Sequence, residues 1–134
     1  MMVLKKAKGF TLLEVLIVLV ILAVLAGLAV PSYTSAVEKS RKQEALATLG
    51  AVRASQQRYF ATRNEYAASF TALDFDPTLG VTGNITHYSY ALTGGGAGST
   101  TFTCTATRNA QDRPSGVAAY TVQIIEDGTI NSNY

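Results

Sequence analysis

The sequence predicts an α+β fold in which one long amino-terminal helix lays its carboxyl-terminal half on a small antiparallel β-sheet and leaves its apolar first half protruding. Three observations predict it. Phe10 to Val30 reads FTLLEVLIVLVILAVLAGLAV, with Thr11 and Glu14 as its only polar side chains. Ser35 to Arg63 is rich in the strong helix formers Ala, Glu, Lys, Arg, Gln and Leu and holds no proline. Three later segments alternate apolar and polar residues with the period of a strand. At 134 residues the chain has material for one compact domain and one extra element. Hydrophobic residues at 48% against charged ones at 15% argue against a chain that stays unfolded.

The first nine residues form a basic leader carrying Lys5, Lys6 and Lys8. Residues 10–31 follow as a membrane-length element, because a helix rising 1.5 Å per residue spans roughly 30 Å over this run, the thickness of bilayer hydrocarbon. A domain this small cannot cover a helix that is apolar on every face. The leader lysines keep the amino terminus cytoplasmic and send the rest outward, while Lys39, Arg41 and Lys42 beyond the run oppose that orientation. Gly9 stands before the apolar run, the reverse of a secretory signal peptide, so cleavage after it leaves the anchor on the mature chain. Glu14 is the one ionisable side chain within the run. A carboxylate in hydrocarbon costs about 2.5–3.5 kcal/mol on insertion scales, so it either reaches water at the interface or meets a cation when helices pack together. Cutting after Gly9 creates such a cation on Phe10, in the same chain or in a neighbour.

Pro31 lacks a backbone donor and crowds the preceding turn, which predicts a bend rather than a stop. Residues 32–63 then read as the amphipathic second half of the same helix, continuous from Phe10 to about Thr62 and on the order of 80 Å long. Val37, Ala45, Leu49, Val52 and Tyr59 fall on one stripe, with Lys39, Lys42, Arg53 and Gln57 mostly elsewhere. Glu38 and Lys42 are spaced as a helical ion pair worth about 0.2–0.5 kcal/mol, on a mixed-charge face that is either solvated or set against neighbouring subunits.

Residues 64–134 supply a connecting loop and the sheet. Asn64 to Gly83 contains Pro77, Gly80 and Gly83 and reads as a packed loop with one short helical turn, pinned by Tyr66, Phe70, Leu73 and Phe75. Tyr88, Tyr90 and Leu92, then Phe102, Cys104 and Ala106, then Tyr120, Val122 and Ile124 mark the inward positions of three strands. Gly94 to Ser99 and Arg113 to Gly116 are turn chemistry, so consecutive strands pair antiparallel, and Asp127-Gly128 leads into a short Thr129 to Asn131 strand. Cys104 reads as a small buried hydrophobe, and His87 as a surface or internally satisfied histidine.

The string Lys8-Gly9-Phe10-Thr11-Leu12-Leu13-Glu14-Val15, with the apolar run and Pro31-Ser32-Tyr33 after it, closely resembles the amino-terminal signature of type IV prepilins. The resemblance covers about the first quarter of the chain and implies a type IV pilin-like fold. It implies that prepilin peptidase, which is also the N-methyltransferase, cuts after Gly9 and methylates Phe10. It implies that Glu14 pairs with the amino terminus of an adjacent subunit, that Pro31 bends the helix, and that an inner-membrane assembly platform moves the single-pass precursor into an extracellular filament of pilin copies. Many members carry Gly where this chain has Ala23, which discourages local unwinding. The Asn64-Glu65-Tyr66 and Ser69-Phe70-Thr71-Ala72-Leu73 stretches are similar, more weakly, to the loop of small pilins that samples outer surfaces.

Other functions have less support. One histidine, one cysteine and the loop carboxylates Asp74 and Asp76 do not assemble a nucleophile and base, so neither catalysis, a cofactor nor a metal is expected. Eleven basic residues face nine acidic ones, and without the leader 8 basic face 9 acidic. Arg108 and Arg113 are too few to argue for nucleic acid. The expected function is therefore a type IV pilus subunit serving adhesion, motility or DNA uptake. A type II secretion pseudopilin is the alternative, although Glu126, Asp127 and Asn131 are a poor acidic calcium loop, and a membrane-tethered binding module is a third.

Overall fold

A computed structural model describes residues 9–78 and 87–134, so the leader before Gly9 and the Gly80 and Gly83 part of the expected loop lie outside the described residues. The element order is a helix α1 (Leu12–Arg63), a single 3-10 turn (Phe70–Ala72), and strands β1 (Tyr88–Gly94), β2 (Phe102–Arg108), β3 (Thr121–Ile125) and β4 (Ile130–Ser132). The helix runs through Pro31 and ends as Asn64 takes a left-handed φ of 56°. The chain divides into two compact units that part between Val37 and Glu38.

In the first unit the apolar run is helical, and none of its side chains is covered. Phe10 is 84% exposed, Leu12 83% and Leu28 71%. Its most apolar stretch has a mean hydropathy of 3.0 and is long enough to cross a membrane.

The second unit is an α/β sandwich with one core. Ala45, Leu49 and Val52 are fully buried on one face of α1, as the sequence stripe predicts, while Tyr59 at the end of that stripe is only half-buried beneath the Arg63 guanidinium. The sheet is ordered β1-β2-β3-β4, and every pairing is antiparallel. Tyr90 lies opposite Ala106 and Ala106 opposite Val122, while Leu92, Cys104 and Ile124 form the next row. Side chains alternate along a strand, so this register puts Phe102, Cys104, Ala106, Val122 and Ile124 on one buried face and the threonines of β2 on the other. Strand β4 starts one residue later than expected. Thr129 closes the Asp127-Gly128 turn by accepting the Ile125 N–H at 3.2 Å, and Ile130 is the first residue opposite Ile124.

The glycine-rich link between β1 and β2 is more than a turn. Gly95 has φ 75°, and a Cβ there would lie 2.3 Å from the Ala67 carbonyl oxygen. Gly96 N–H donates to Tyr66 O at 2.8 Å, Tyr66 N–H donates to Ser99 O at 3.0 Å, and Gly98 N–H donates to the Glu65 carboxylate at 3.0 Å. Gln56, fully buried on α1, closes the junction by accepting from Ala67 N–H and donating to Ala67 O. Helix, loop and first hairpin are thus tied through one buried amide.

Candidate functional site

The residues singled out by sequence lie at the start of the first unit. Gly9 and Phe10 are exposed and precede the helix, so the bond between them sits on accessible, non-helical chain. Thr11 is the N-cap of α1 and Glu14 its third helical residue. Glu14 N–H donates to Thr11 Oγ1 at 3.2 Å, and Thr11 N–H and Oγ1–H both donate to Glu14 Oε2 at 3.1 Å. This is a capping box, in which two orphan donors of the first turn are satisfied reciprocally. Sequence alone leaves Glu14 between interfacial water and a terminal amine, and the role of Thr11 goes unread there, although a Thr followed three residues on by Glu at the start of an apolar run is the signal for this cap. Hydrogen bonds to a charged group are worth about 1.5–3 kcal/mol each, enough to offset much of the cost of a carboxylate near hydrocarbon. Pro31 lies within α1, with its carbonyl accepting from Thr34 Oγ1 at 3.0 Å.

The second unit places its most unusual polar cluster where α1 meets β2. Glu38 and Arg108 are 1% and 3% exposed. Arg108 Nη2 and Nε donate to the two oxygens of Glu38 at 2.8 and 3.1 Å, and the Tyr120 hydroxyl donates to Oε2 at 3.1 Å. The Arg108 fork also donates to His87 O at 2.9 Å and Asp112 O at 2.7 Å. The Arg108 hydrogen bonds outweigh desolvation and hold the Glu38 carboxyl below its ordinary value, while Glu38 raises Arg108. Glu38 is therefore no solvated partner of Lys42, and Arg108 presents no charge to a surface ligand. A short helical spacing identifies local pairs, but a planar guanidinium with both carboxylate oxygens in reach wins over one ammonium. Lys42 instead lies over the Tyr134 ring, 5.1 Å from its centroid.

His87 is buried, with Nδ1 against Asp112 Oδ2, and desolvation, together with Arg41 and Arg108, pushes its pKa down. Burial pushes the Cys104 thiol up to about 12, which leaves it a hydrophobe rather than a nucleophile. Asp74, held down to about 2, accepts from Arg58 at 2.7 and 2.9 Å and from Ser55, and Asp76 caps Thr78. No group of three or more His, Cys, Asp and Glu is gathered among the described residues.

The arrangement is one of surfaces: an uncovered apolar helix starting at a capped carboxylate, on a chain that buries its Glu38–Arg108 pair in the second unit. Residues 4–30 match the family described as the prokaryotic N-terminal methylation motif. Residues 31–116 match the family described as the type IV minor pilin ComP, DNA uptake sequence receptor. No curated protein and no solved structure matches the chain. The two families meet at Pro31 without a gap, one carrying the membrane-length half of the helix and the other most of the head, and the chain belongs to the type IV pilin family.

Proposed function

We propose that the chain is a minor subunit of a type IV pilus, made as a single-pass inner-membrane precursor, cut after Gly9, methylated on Phe10 and carried into an extracellular filament. The observation that carries this reading is the wholly exposed apolar helix, which suits two environments in turn. Lipid covers it in the precursor, and the helices of other pilins cover it in the filament. The driving force is burial of apolar surface at about 25 cal/mol per Å² of whatever area would otherwise meet water. Extraction from lipid requires work, for which an assembly platform is the partner. Glu14 meets the Phe10 amine of an adjacent subunit in this scheme, and Pro31 adjusts the helix path. Replacing Glu14 by Ala should leave the chain in the membrane and exclude it from sheared filaments. Mass spectrometry of filament protein should find it starting at methylated Phe10. Glu14→Ala protein incorporated at the wild-type level, or surface protein with Met1 to Gly9 intact, would overturn the reading.

The receptor named in the matched family description supports DNA capture as the role of this pilus. Electrostatics sets the form it takes. Residues 38–134 hold eight basic and eight acidic side chains. Of the basic ones, Arg41, Arg58 and Arg108 lie within 4.0 Å of carboxylates. The Arg41 and Arg58 pairs are exposed and can yield to phosphate, so only the buried Arg108 is withheld, and the remaining seven limit the salt dependence of DNA binding by one head to a log–log slope of about −6.3. A steeper slope for filaments containing this chain, relative to filaments lacking it, would exclude this head as the source of the binding.

A further inference from the structure

The capping box gives Glu14 a partner inside its own chain. Both donors to Oε2 belong to Thr11, one from its amide and one from its hydroxyl, and Oε1 accepts neither. None of these atoms belongs to the Gly9–Phe10 peptide bond, so the arrangement is available before and after cleavage there. Hydrocarbon offers a carboxylate no donors, so a helix waiting in lipid must bring its own. A filament offers a stronger one, a neighbour's terminal amine, and among the described residues both donors to Glu14 use Oε2 and leave Oε1 to it.

We propose that Thr11 is the lipid-phase partner of Glu14, holding the carboxylate within the chain until the amine of an adjacent subunit takes over. This rests on the assembly reading of Glu14 given above. Thr11 is then a positioning residue with two duties. It makes the acid tolerable in the membrane, and it keeps the acid at the start of the helix where a neighbour's Phe10 amine can reach it. The handover leaves the cap in place, because Thr11 Oγ1 still accepts the Glu14 amide when its hydroxyl no longer donates to Oε2. Assembly changes the partner without requiring the helix to change its fold.

The test uses full-length mature protein in phosphatidylcholine liposomes and dicyclohexylcarbodiimide, a lipid-soluble carboxyl reagent, with the Glu14 adduct quantified by mass spectrometry of the amino-terminal peptide. Thr11→Val keeps the shape and the amide but removes the hydroxyl, while Thr11→Ser keeps the hydroxyl. Thr11→Val should be modified about tenfold faster than wild type, and Thr11→Ser as slowly as wild type. In wild-type filaments doped with a small fraction of Thr11→Val, the variant and wild-type chains should be modified at the same rate, because the neighbouring amine now holds the acid. A helix cap with no further role would keep the difference in both settings. Equal rates in liposomes, a Thr11→Ser rate as fast as that of Thr11→Val, or a difference that persists in filaments would each overturn the proposal. Normal incorporation of Glu14→Ala would instead remove the assembly reading and leave the liposome comparison standing.

Discussion

Replacing Glu38 by Leu removes two of the hydrogen bonds to the Arg108 guanidinium and the acceptor of the Tyr120 hydroxyl, and leaves a cation only 3% exposed. Breaking one side of a buried pair costs about 3–5 kcal/mol. The Asp112 carboxylate still lies 3.4 Å from Nη1 and two carbonyls still accept from the fork, which favours the lower end, about 3 kcal/mol. For a unit of this size each kcal/mol shifts the melting temperature by about 4–8 °C, so the head should melt roughly 12–24 °C lower. Arg108→Met should cost a similar amount by stranding Glu38. The double variant Glu38→Leu/Arg108→Met leaves no buried charge and should recover to within about 1 kcal/mol of wild type, a coupling well above that of independent sites. The assay is thermal and urea unfolding of the full chain in detergent micelles, followed by near-ultraviolet circular dichroism of the head tyrosines. Single variants within about 1 kcal/mol of wild type, or a double variant as damaged as the sum of the singles, would refute the buried-pair account.

Acid should act through the same carboxylate. The Glu38 pKa is lowered in the fold, so its contribution is full above the ordinary value of 4.5 and is lost as pH falls through the lower folded value. Stability measured against pH should therefore drop below about 4.5 in the wild type and drop less steeply in Glu38→Gln. Gln56→Leu should destabilise by about 2–4 kcal/mol in urea titrations, because it leaves the Ala67 N–H and C=O buried and unpaired. Gly95→Ala should also destabilise by more than about 1 kcal/mol through its positive φ and the close Ala67 carbonyl. Cys104 should resist thiol reagents in the native protein and react fully in denaturant, as monitored by mass shift.

The elements with a strong period were legible from sequence. The helix, its Ala45, Leu49 and Val52 stripe, and the inward rows of the first three strands follow from spacing alone, because burial on one face is what sets that spacing. The prepilin signature singled out Gly9, Phe10 and Glu14 because it is local in sequence, and their parts in processing and assembly are proposals. Two kinds of information were not accessible. Glu38 and Arg108 are 70 residues apart, and nothing in either neighbourhood indicates that the fold brings them together in the core. Gln56 was likewise unremarkable, since its role depends on where Ala67 and Gly95 arrive. The Thr11 cap differs from these, because its signal was present in four consecutive residues and was overshadowed by the hydrophobicity around it. Net charge was a correct count but a poor guide to surface, since three of the eight head cations are engaged by carboxylates of the same head.

In the proposed assembly, other pilin helices cover the exposed apolar half-helix once the chain leaves lipid. Leu19, 61% exposed in the middle of that run, can be replaced by cysteine, while the native Cys104 is fully buried and gives little background. Oxidising purified filaments that contain Leu19→Cys chains, alongside pilins carrying cysteine at the matching helix position, tests the claim through the yield of inter-chain disulfides. Pairs of chains linked through the introduced thiol are expected in the filament fraction. Filaments that contain the chain but yield it only as an unlinked monomer, with the introduced thiol open to water-soluble reagents, would contradict it.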